Sequence, residues 1–159
     1  MAYKKITVKP IGFVHSSRKQ AIDDNWGKET SEIELSKYFT AEALEGLSTF
    51  SHLEVIFYFH LVEDDKIEAK ARHPRNNMSW PKVGIFAQRA KDRPNKIGAT
   101  ICNLVSVNGK SIKVSGLDAI DGTPVLDIKP VFSELLPRGA VKQPDWSKEI
   151  MRDYWTLTR

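Results

Sequence analysis

The amino-acid sequence predicts an all-β protein, a small β-barrel with one or two short helices. About seven or eight segments have strand character, and they do not alternate with helices as a parallel sheet would require. Two β-rich runs are joined by Asn108-Gly109, and Asn-Gly is the strongest short-range signal of a β-hairpin. Because closing the sheet leaves no strand edge unpaired, a barrel is the architecture that suits these strands best.

Composition predicts one domain. The 159 residues are 41% apolar and 28% charged, which suffices for a sizeable core. No run of about 18 apolar residues is present, and MAYKKITVKP lacks the apolar stretch of a signal peptide, so we expect a cytoplasmic protein without a membrane segment. We assign residues 1–140 to the barrel domain and residues 141–159 to a helical tail packed on the barrel or on a dimer partner.

Cysteine and charge limit the possible chemistry. Cys102 is the only cysteine, and its apolar surroundings TICNLV predict a buried, inert thiol, so we expect neither a disulfide nor a metal site. The net charge of +4 is modest. Basic residues nevertheless concentrate within residues 70–96, which can be a solvated face or a phosphate-binding face.

The first elements are a strand, a loop, a second strand and a helix. Residues 4–14 suggest a strand interrupted at Pro10, and residues 15–28 a long loop. Residues 31–35 form a short strand with Ile33 and Leu35 inward. Thr40 then caps a short helix in TAEALEGL.

The run FSHLEVIFYFHLV, residues 50–62, predicts a central strand buried on both faces. His52 and His60 lie on one face of it, and each is either a structural histidine or a group that exchanges protons near neutral pH. Residues 64–83 are an excursion with a brief edge strand around Ala69, and residues 84–88 a further strand.

The hairpin joins runs 99–107 and 110–115. After the polar loop 116–123, PVLDIKP predicts a strand with Val125, Asp127 and Lys129 on one face. The final helix, WSKEIMRDYW, has an apolar stripe that comprises Trp146, Ile150, Tyr154 and Trp155.

Two polar loops, QRAKDRPNKIG and GLDAIDGTP, flank the hairpin, and we expect them at the same end of it. Arg89 and Arg93 suit a carboxylate or phosphate, and Asp118 and Asp121 suit hydroxyls or amines. A structural salt bridge from Arg89 to either aspartate is the alternative. Neither G-x-G-x-x-G nor the P-loop pattern is present.

A second polar cluster lies in the long N-terminal loop. Two carboxylates, an amide and an indole can bond the edge of a base and stack on its ring; the cluster comprises Asp23, Asp24, Asn25 and Trp26. The alternative is a surface turn with Trp26 packed on the core.

The segments FSHLEVIFYFH, RHPR, GIFAQRAKDRPNKIG and GLDAIDGTPVLDIKP together resemble the TrmO (YaeB/TsaA-like) family of S-adenosylmethionine-dependent tRNA methyltransferases. The resemblance covers about residues 10–130. It implies a small β-barrel, commonly a homodimer, that holds S-adenosyl-L-methionine in its loops. The chain looks like a short form that lacks the family's C-terminal domain.

The resemblance also implies site residues. The cofactor contacts carried over are His60, Leu61, Arg89, Ala99, Leu117, Asp118, Ala119 and Ile120. His60 and Asp118 are the candidate catalytic bases, and this choice rests on their chemistry. The contacts expected for the methyl acceptor are Asp23, Asp24, Asn25, Trp26, Arg93, Asn95 and Lys129.

The chain departs from the family pattern at several positions. Gln88 stands where Thr is usual, Lys96 stands where Pro is usual, and the family's Pro-Arg-Gln contact aligns only loosely with IDDNW. The resemblance predicts methylation of threonylcarbamoyl-adenosine next to the tRNA anticodon. A methyltransferase for a small molecule, with Asp24 and Trp26 at the acceptor, and a non-catalytic cofactor-binding module are the other two interpretations.

Overall fold

The computed structural model describes residues 4–156 and contains a closed barrel of six antiparallel strands in the order β1-β2-β7-β6-β3-β8. The barrel closes where Gly12 and Phe13 pair with Val125 and Pro124. The all-β prediction is therefore confirmed. The strands are β1 Gly12–Ser16, β2 Thr30–Leu35, β3 His52–Tyr58, β4 Ala71–Arg72, β5 Val83–Gly84, β6 Ile97–Asn108, β7 Ser111–Ser115 and β8 Pro124–Pro130, of which β4 and β5 form a separate two-stranded sheet.

Buried and more exposed side chains alternate along the strands, and the buried ones form the core. In β3, Leu53, Val55 and Phe57 are buried, whereas the residues between them are only half-buried. The prediction that this strand is buried on both faces was therefore wrong, because the outer face of a barrel strand has no second layer on it. In β2 the buried residues include Ile33 and Leu35, as predicted.

Two bulges shift which side chains face inward. The pairing of β3 with β8 slips between Ile56 and Phe57, so that Val125 and Ile128 both face the core although they are three residues apart. The prediction of one common face for Val125, Asp127 and Lys129 was wrong for this reason. A second slip, in the pairing of β6 with β7, lies between Leu104 and Ser106. An extra residue bends a strand, and such bends help a sheet to close.

The thiol of Cys102 is part of this core. Burial, and next the charge of Asp118, raises the pKa of Cys102 to about 12, and the thiol donates a weak hydrogen bond to the Leu53 carbonyl at 3.7 Å. A thiol with so high a pKa is not ionised at neutral pH. The structure thus confirms the inert interpretation of this cysteine.

The helices are shorter than predicted. TAEALEGL forms two 3₁₀ turns, Ala41–Leu44 and Leu47–Thr49, which are separated by Gly46 in the left-handed region with φ 79°. At the other end of the chain α1 spans only Asp145–Ile150, and turns follow it. Tyr154 and Trp155, which were predicted to lie within this helix, therefore lie beyond its end. Among residues 4–156, no helix has the length and apolar character that a membrane crossing needs.

Three other predicted strands are also short. β1 begins only after Pro10, and the brief edge strand of the excursion is the two-residue β4. The segment predicted as a strand at residues 84–88 is mainly a 3₁₀ turn, Ile85–Ala87. This turn buries Ile85 in the interior and leaves Phe86 79% exposed.

The topology gathers several loops at one end of the barrel, which we call the site end. Here β1, β3 and β7 finish and β2, β6 and β8 begin. The segments that meet there are residues 59–62, residues 97–100 and the loop 116–123. The two polar loops of the sequence analysis are therefore neighbours.

Candidate active site

The centre of the site end is the carboxylate of Asp118. Its Oδ1 accepts a hydrogen bond from the Thr100 hydroxyl, and its Oδ2 accepts one from the Tyr154 hydroxyl. Thr100 is buried because it faces inward on β6, near the start of that strand. Each oxygen of the carboxylate is thus bonded by one neutral donor, and each keeps lone-pair capacity for another partner.

Tyr154 bonds the Asp118 carboxylate, a contact that the sequence did not reveal. Burial, and next the charge and hydrogen bond of Asp118, raises the pKa of Tyr154 well above the ordinary tyrosine range, although the positive charges of Arg89 and Arg75 oppose this rise. The phenol therefore remains a protonated donor. Its position in the sequence predicted only an apolar stripe, and the amphipathic character of tyrosine was the one available signal.

The loop that follows β7 has buried side chains and available backbone groups. Leu117, Ala119 and Ile120 are at most 9% exposed, so their side chains belong to the barrel interior. Among the described residues, the amides of 117–120 donate no backbone hydrogen bond, whereas the next two amides donate to Arg18 and Val14. A backbone amide without a protein partner has to bond water or a ligand, so this loop is suited to ligand recognition by its main chain.

His60 lies just beyond the end of β3, beside this loop. A Cβ atom placed on Gly122 would be 3.8 Å from its Nε2. Burial lowers the pKa of His60, so the imidazole is neutral at neutral pH and can accept a proton. The next residue, Leu61, is 64% exposed and offers an apolar surface at the same place.

The segment RPNKIG packs against and bonds the residues on either side of His60. A Cβ on Gly98 would lie 2.5 Å from the Phe57 ring and 2.9 Å from the Phe59 ring, so only glycine leaves room for this aromatic pair. Lys96 has φ 50°, a conformation that proline cannot adopt. Its ammonium donates to the Val62 carbonyl at 2.7 Å and to Asp64 at 2.6 Å. The residue that replaces the family's usual proline thus bonds the turn after β3.

Arg89 is exposed beside the same loops and does not form the structural salt bridge considered above. Its Nη2 donates to the carbonyl of Ala99 at 2.5 Å, and Asp121 instead accepts from the Ser16 amide at 3.1 Å. The hydrogen bond to Ala99 fixes one side of the guanidinium. The other donors of a five-donor group stay available for an anion.

The IDDNW loop is closely tied to the protein itself. Asp24 receives two hydrogen bonds from Arg75, at 2.8 and 3.0 Å, and Arg75 has the strained φ of 49°. The Trp26 ring is 4% exposed and lies under the guanidinium of Arg18 at 3.7 Å. Asn25, with φ 67°, donates its amide to Asp153. These contacts agree with a packed turn, and the side chain of Asp23 is more than half exposed.

The expected acceptor contacts do not all converge. Arg93 donates to the Gln88 carbonyl at 3.0 Å, and Asn95 is exposed in the turn before β6. Lys129 pairs with Asp127 and lies opposite Glu54, toward the other end of the barrel from His60. The structure brings together Arg89, Ala99, Asp118 and Tyr154, and it leaves Lys129 apart.

Three of the eight lysines and arginines in residues 70–96 are neutralised by internal ion pairs. Arg72 forms a two-pronged pair with Asp92, Arg75 pairs with Asp24, and Lys96 pairs with Asp64. Within residues 4–156, the basic residues of this segment that form no ion pair with an acid include Lys70, Lys82, Arg89 and Lys91. Fewer cations face a polyanion than the sequence suggests.

Comparison with known proteins shows the family of the chain. The model of a family described as the tRNA-methyltransferase O N-terminal domain matches residues 17–135. The chain belongs to the TrmO family. TrmO from Pseudomonas aeruginosa has a crystal structure that superposes with a TM-score of 0.70 at 32% identity, over 87% of this chain and 62% of that one.

Relatives differ in how much of their length the chain spans. A probable S-adenosyl-L-methionine-binding protein of Methanothermobacter thermautotrophicus is 34% identical over 85% of this chain and 96% of its own length. A putative S-adenosylmethionine-dependent methyltransferase of Pseudomonas aeruginosa is 38% identical, and the chain spans 58% of it. The human tRNA (adenine(37)-N6)-methyltransferase is 46% identical over 92 residues, 20% of its length.

Proposed function

We propose that this chain is an S-adenosylmethionine-dependent methyltransferase that methylates the N6 nitrogen of an adenine in tRNA. The adenine expected from the family resemblance carries a threonylcarbamoyl group and lies next to the anticodon. The observation that carries the proposal is the Asp118 carboxylate, bonded by Thr100 and Tyr154 at the centre of the loops that match the TrmO family. The human relative's name supports the adenine acceptor.

The residues at the site end fit S-adenosylmethionine. Its ribose hydroxyls and ammonium group need acceptors, which Asp118 supplies with the lone pairs that Thr100 and Tyr154 leave. Its carboxylate needs a cation, and Arg89 is exposed there. The edge of its adenine can bond to the main chain of residues 117–120.

The chain's own residues then have to align the acceptor and remove one proton. S-adenosylmethionine supplies a methyl group activated on a sulfonium. The acceptor nitrogen forms a bond to the methyl carbon, while the carbon–sulfur bond breaks and its electron pair stays on sulfur. The nitrogen's proton passes to a base. His60 is the better candidate because burial keeps its imidazole neutral, whereas Asp118 is already bonded on both oxygens.

No specific contact favours a small-molecule acceptor at the IDDNW loop. Asp24 is bonded to Arg75, and the Trp26 ring is buried beneath Arg18. Neither side chain is therefore free to line an acceptor pocket. Experiment can distinguish a non-catalytic cofactor-binding module from a methyltransferase, because such a module binds the cofactor but does not transfer its methyl group.

We further propose that the chain works as a homodimer in which the outer face of β6 is buried. Ile97, Ile101 and Val105 point outward on this strand and are each more than 40% exposed. Exposed aliphatic side chains in a row on a strand are typical of a covered surface. Sedimentation velocity should give the mass of two chains, and Ile101→Lys should convert the protein to a single chain.

The function is tested by methyl transfer from radiolabelled S-adenosylmethionine to tRNA with and without the threonylcarbamoyl group. Wild type should label only the modified tRNA and release S-adenosylhomocysteine. Asp118→Asn should lower the labelling by roughly a hundredfold, and Lys113→Gln, on the exposed outer face of β7, should leave it unchanged. Tight cofactor binding with no labelled product would overturn the enzymatic proposal.

A further inference from the structure

We infer that residues 153–156, which follow α1, are part of the cofactor site, and that Tyr154 is the positioning residue that fixes the Asp118 carboxylate. This inference rests on the proposed function, because it concerns how the proposed cofactor contact is held. It adds a segment far along the chain to a site whose expected contacts all precede residue 130.

The backbone of this segment is seated on the IDDNW loop. Asn25 donates its amide to the Asp153 carbonyl at 3.1 Å, and Trp26 donates to the Tyr154 carbonyl at 2.8 Å. The Thr156 hydroxyl lies 3.2 Å from Asn25 Oδ1 and donates to the Asp153 carbonyl at 2.7 Å. A Cβ on Gly27 would lie 2.1 Å from the Trp155 carbonyl oxygen, so the two backbones approach as closely as glycine permits. The segment therefore occupies one defined place.

These backbone contacts place the Tyr154 hydroxyl next to the Asp118 carboxylate. The Tyr154 ring packs edge to face on Trp155, with 4.9 Å between ring centres, and the hydroxyl donates to Oδ2 of the carboxylate. Thr100 holds the other oxygen. A carboxylate held on both oxygens cannot rotate, and its remaining lone pairs then point in fixed directions. Such fixed acceptors bind a ligand without a further ordering cost.

The donor stays neutral under all physiological conditions. Burial and the charge of Asp118 raise the pKa of Tyr154, and the charged groups that face this pair are Arg75 and Arg89. Cys102 lies near Asp118 from within β6, where its thiol is protonated. A neutral phenol bonds the carboxylate without cancelling its charge. The negative charge therefore remains available for a cationic cofactor.

The central experiment measures the dissociation constants of S-adenosylmethionine and S-adenosylhomocysteine by calorimetry. Tyr154→Phe keeps the ring and removes the donor, and it should weaken binding of both by roughly tenfold or more. Tyr38→Phe, whose ring is 83% exposed, is the matched control and should bind as wild type does. Thermal unfolding of each variant verifies that it is folded.

A double-mutant cycle separates positioning from packing. If Tyr154 acts through the carboxylate, Tyr154→Phe should cause no further loss in the Asp118→Asn background. An equal loss in both backgrounds would mean that the residue is merely structural and would overturn the inference, as would a Tyr154→Phe protein with wild-type affinity. Failure of wild type itself to bind S-adenosylmethionine would instead overturn the proposed function.

A measurement on wild type covers the case in which Tyr154→Phe does not fold. The amides of Asn25 and Trp26 donate to the segment, so their hydrogen exchange reports its seating. Addition of S-adenosylmethionine should slow exchange at both amides by roughly threefold or more. Unchanged exchange at saturating cofactor would show that the segment is independent of the site.

Discussion

His60 is the residue whose protonation state matters most for the proposed chemistry. Burial lowers its pKa, so the folded protein takes up this proton only below the ordinary imidazole value of about 6.5. Folding stability contributed by the neutral ring is present above that value and is lost as the pH falls toward the folded pKa. A protonated imidazole near a sulfonium also adds a repulsion between two positive charges.

We therefore predict that the affinity for S-adenosylmethionine is level above about pH 7 and falls by roughly three- to tenfold as His60 becomes protonated. Calorimetric titrations at a series of pH values measure this. His60→Gln, which cannot be protonated, should give a flat profile. An acid limb of the same size in His60→Gln would assign the proton to another group.

Single residues of the site differ in how far sequence could predict them. Asp118 and His60 could be proposed from the sequence because each is a titratable side chain within a family motif. Tyr154, Thr100 and Arg75 were not, because their importance comes from partners that are 36, 18 and 51 positions away. Sequence separations of this size carry no local signal.

At the scale of elements, the contact between the IDDNW loop and the C-terminal segment depends on Gly27. Alanine at this position would place its Cβ 2.1 Å from the backbone oxygen of Trp155, which no side-chain rotation can relieve. We predict that Gly27→Ala displaces the segment and lowers the free energy of unfolding by about 1–3 kcal/mol. Chemical denaturation measures the change.

Gly84→Ala is the control, since its Cβ would meet nothing within 4 Å and its φ is not positive. This variant should unfold within about 0.5 kcal/mol of wild type. If our interpretation is right, Gly27→Ala should also weaken S-adenosylmethionine binding as Tyr154→Phe does. If Gly27→Ala is destabilised but binds S-adenosylmethionine as wild type does, the contact between the loop and the C-terminal segment is not needed for cofactor binding.

Elements that a short stretch of sequence specifies were predictable, and elements whose shape depends on the closure of the barrel were not. Asn108-Gly109 placed the hairpin of β6 and β7 because the turn needs those residue types, and Gly109 has φ 58°. The bulges at Leu126 and Val105 have no comparable signal in the local sequence, because a bulge depends on the curvature of the whole sheet. The predicted C-terminal helix was too long: it ends at Ile150, and Tyr154 instead bonds Asp118, a long-range contact that no local pattern indicates.

For the whole molecule, internal pairing decides how the basic segment can meet tRNA. The sequence shows a run of cations, but Arg72, Arg75 and Lys96 are each paired with an aspartate. The unpaired group consists of Lys70, Lys82, Arg89, Lys91 and Arg93. Arg89 is the proposed partner of the cofactor's carboxylate, so four of these cations remain for phosphates. Paired cations contribute little to counterion release, because their charge is already compensated.

We predict a moderate salt dependence of tRNA binding. Four phosphate contacts at about 0.7–0.9 each give a slope of log affinity against log salt of about −3, whereas engagement of all the basic side chains in residues 70–96 would roughly double it. Fluorescence anisotropy with labelled tRNA at several salt concentrations measures the slope. Lys82→Gln should reduce its magnitude by about 0.8, while Lys113→Gln, on the exposed face of β7, should leave it unaltered. A slope near zero, or no binding at low salt, would remove tRNA as the partner, and a doubled slope would mean that the internal ion pairs open when tRNA binds.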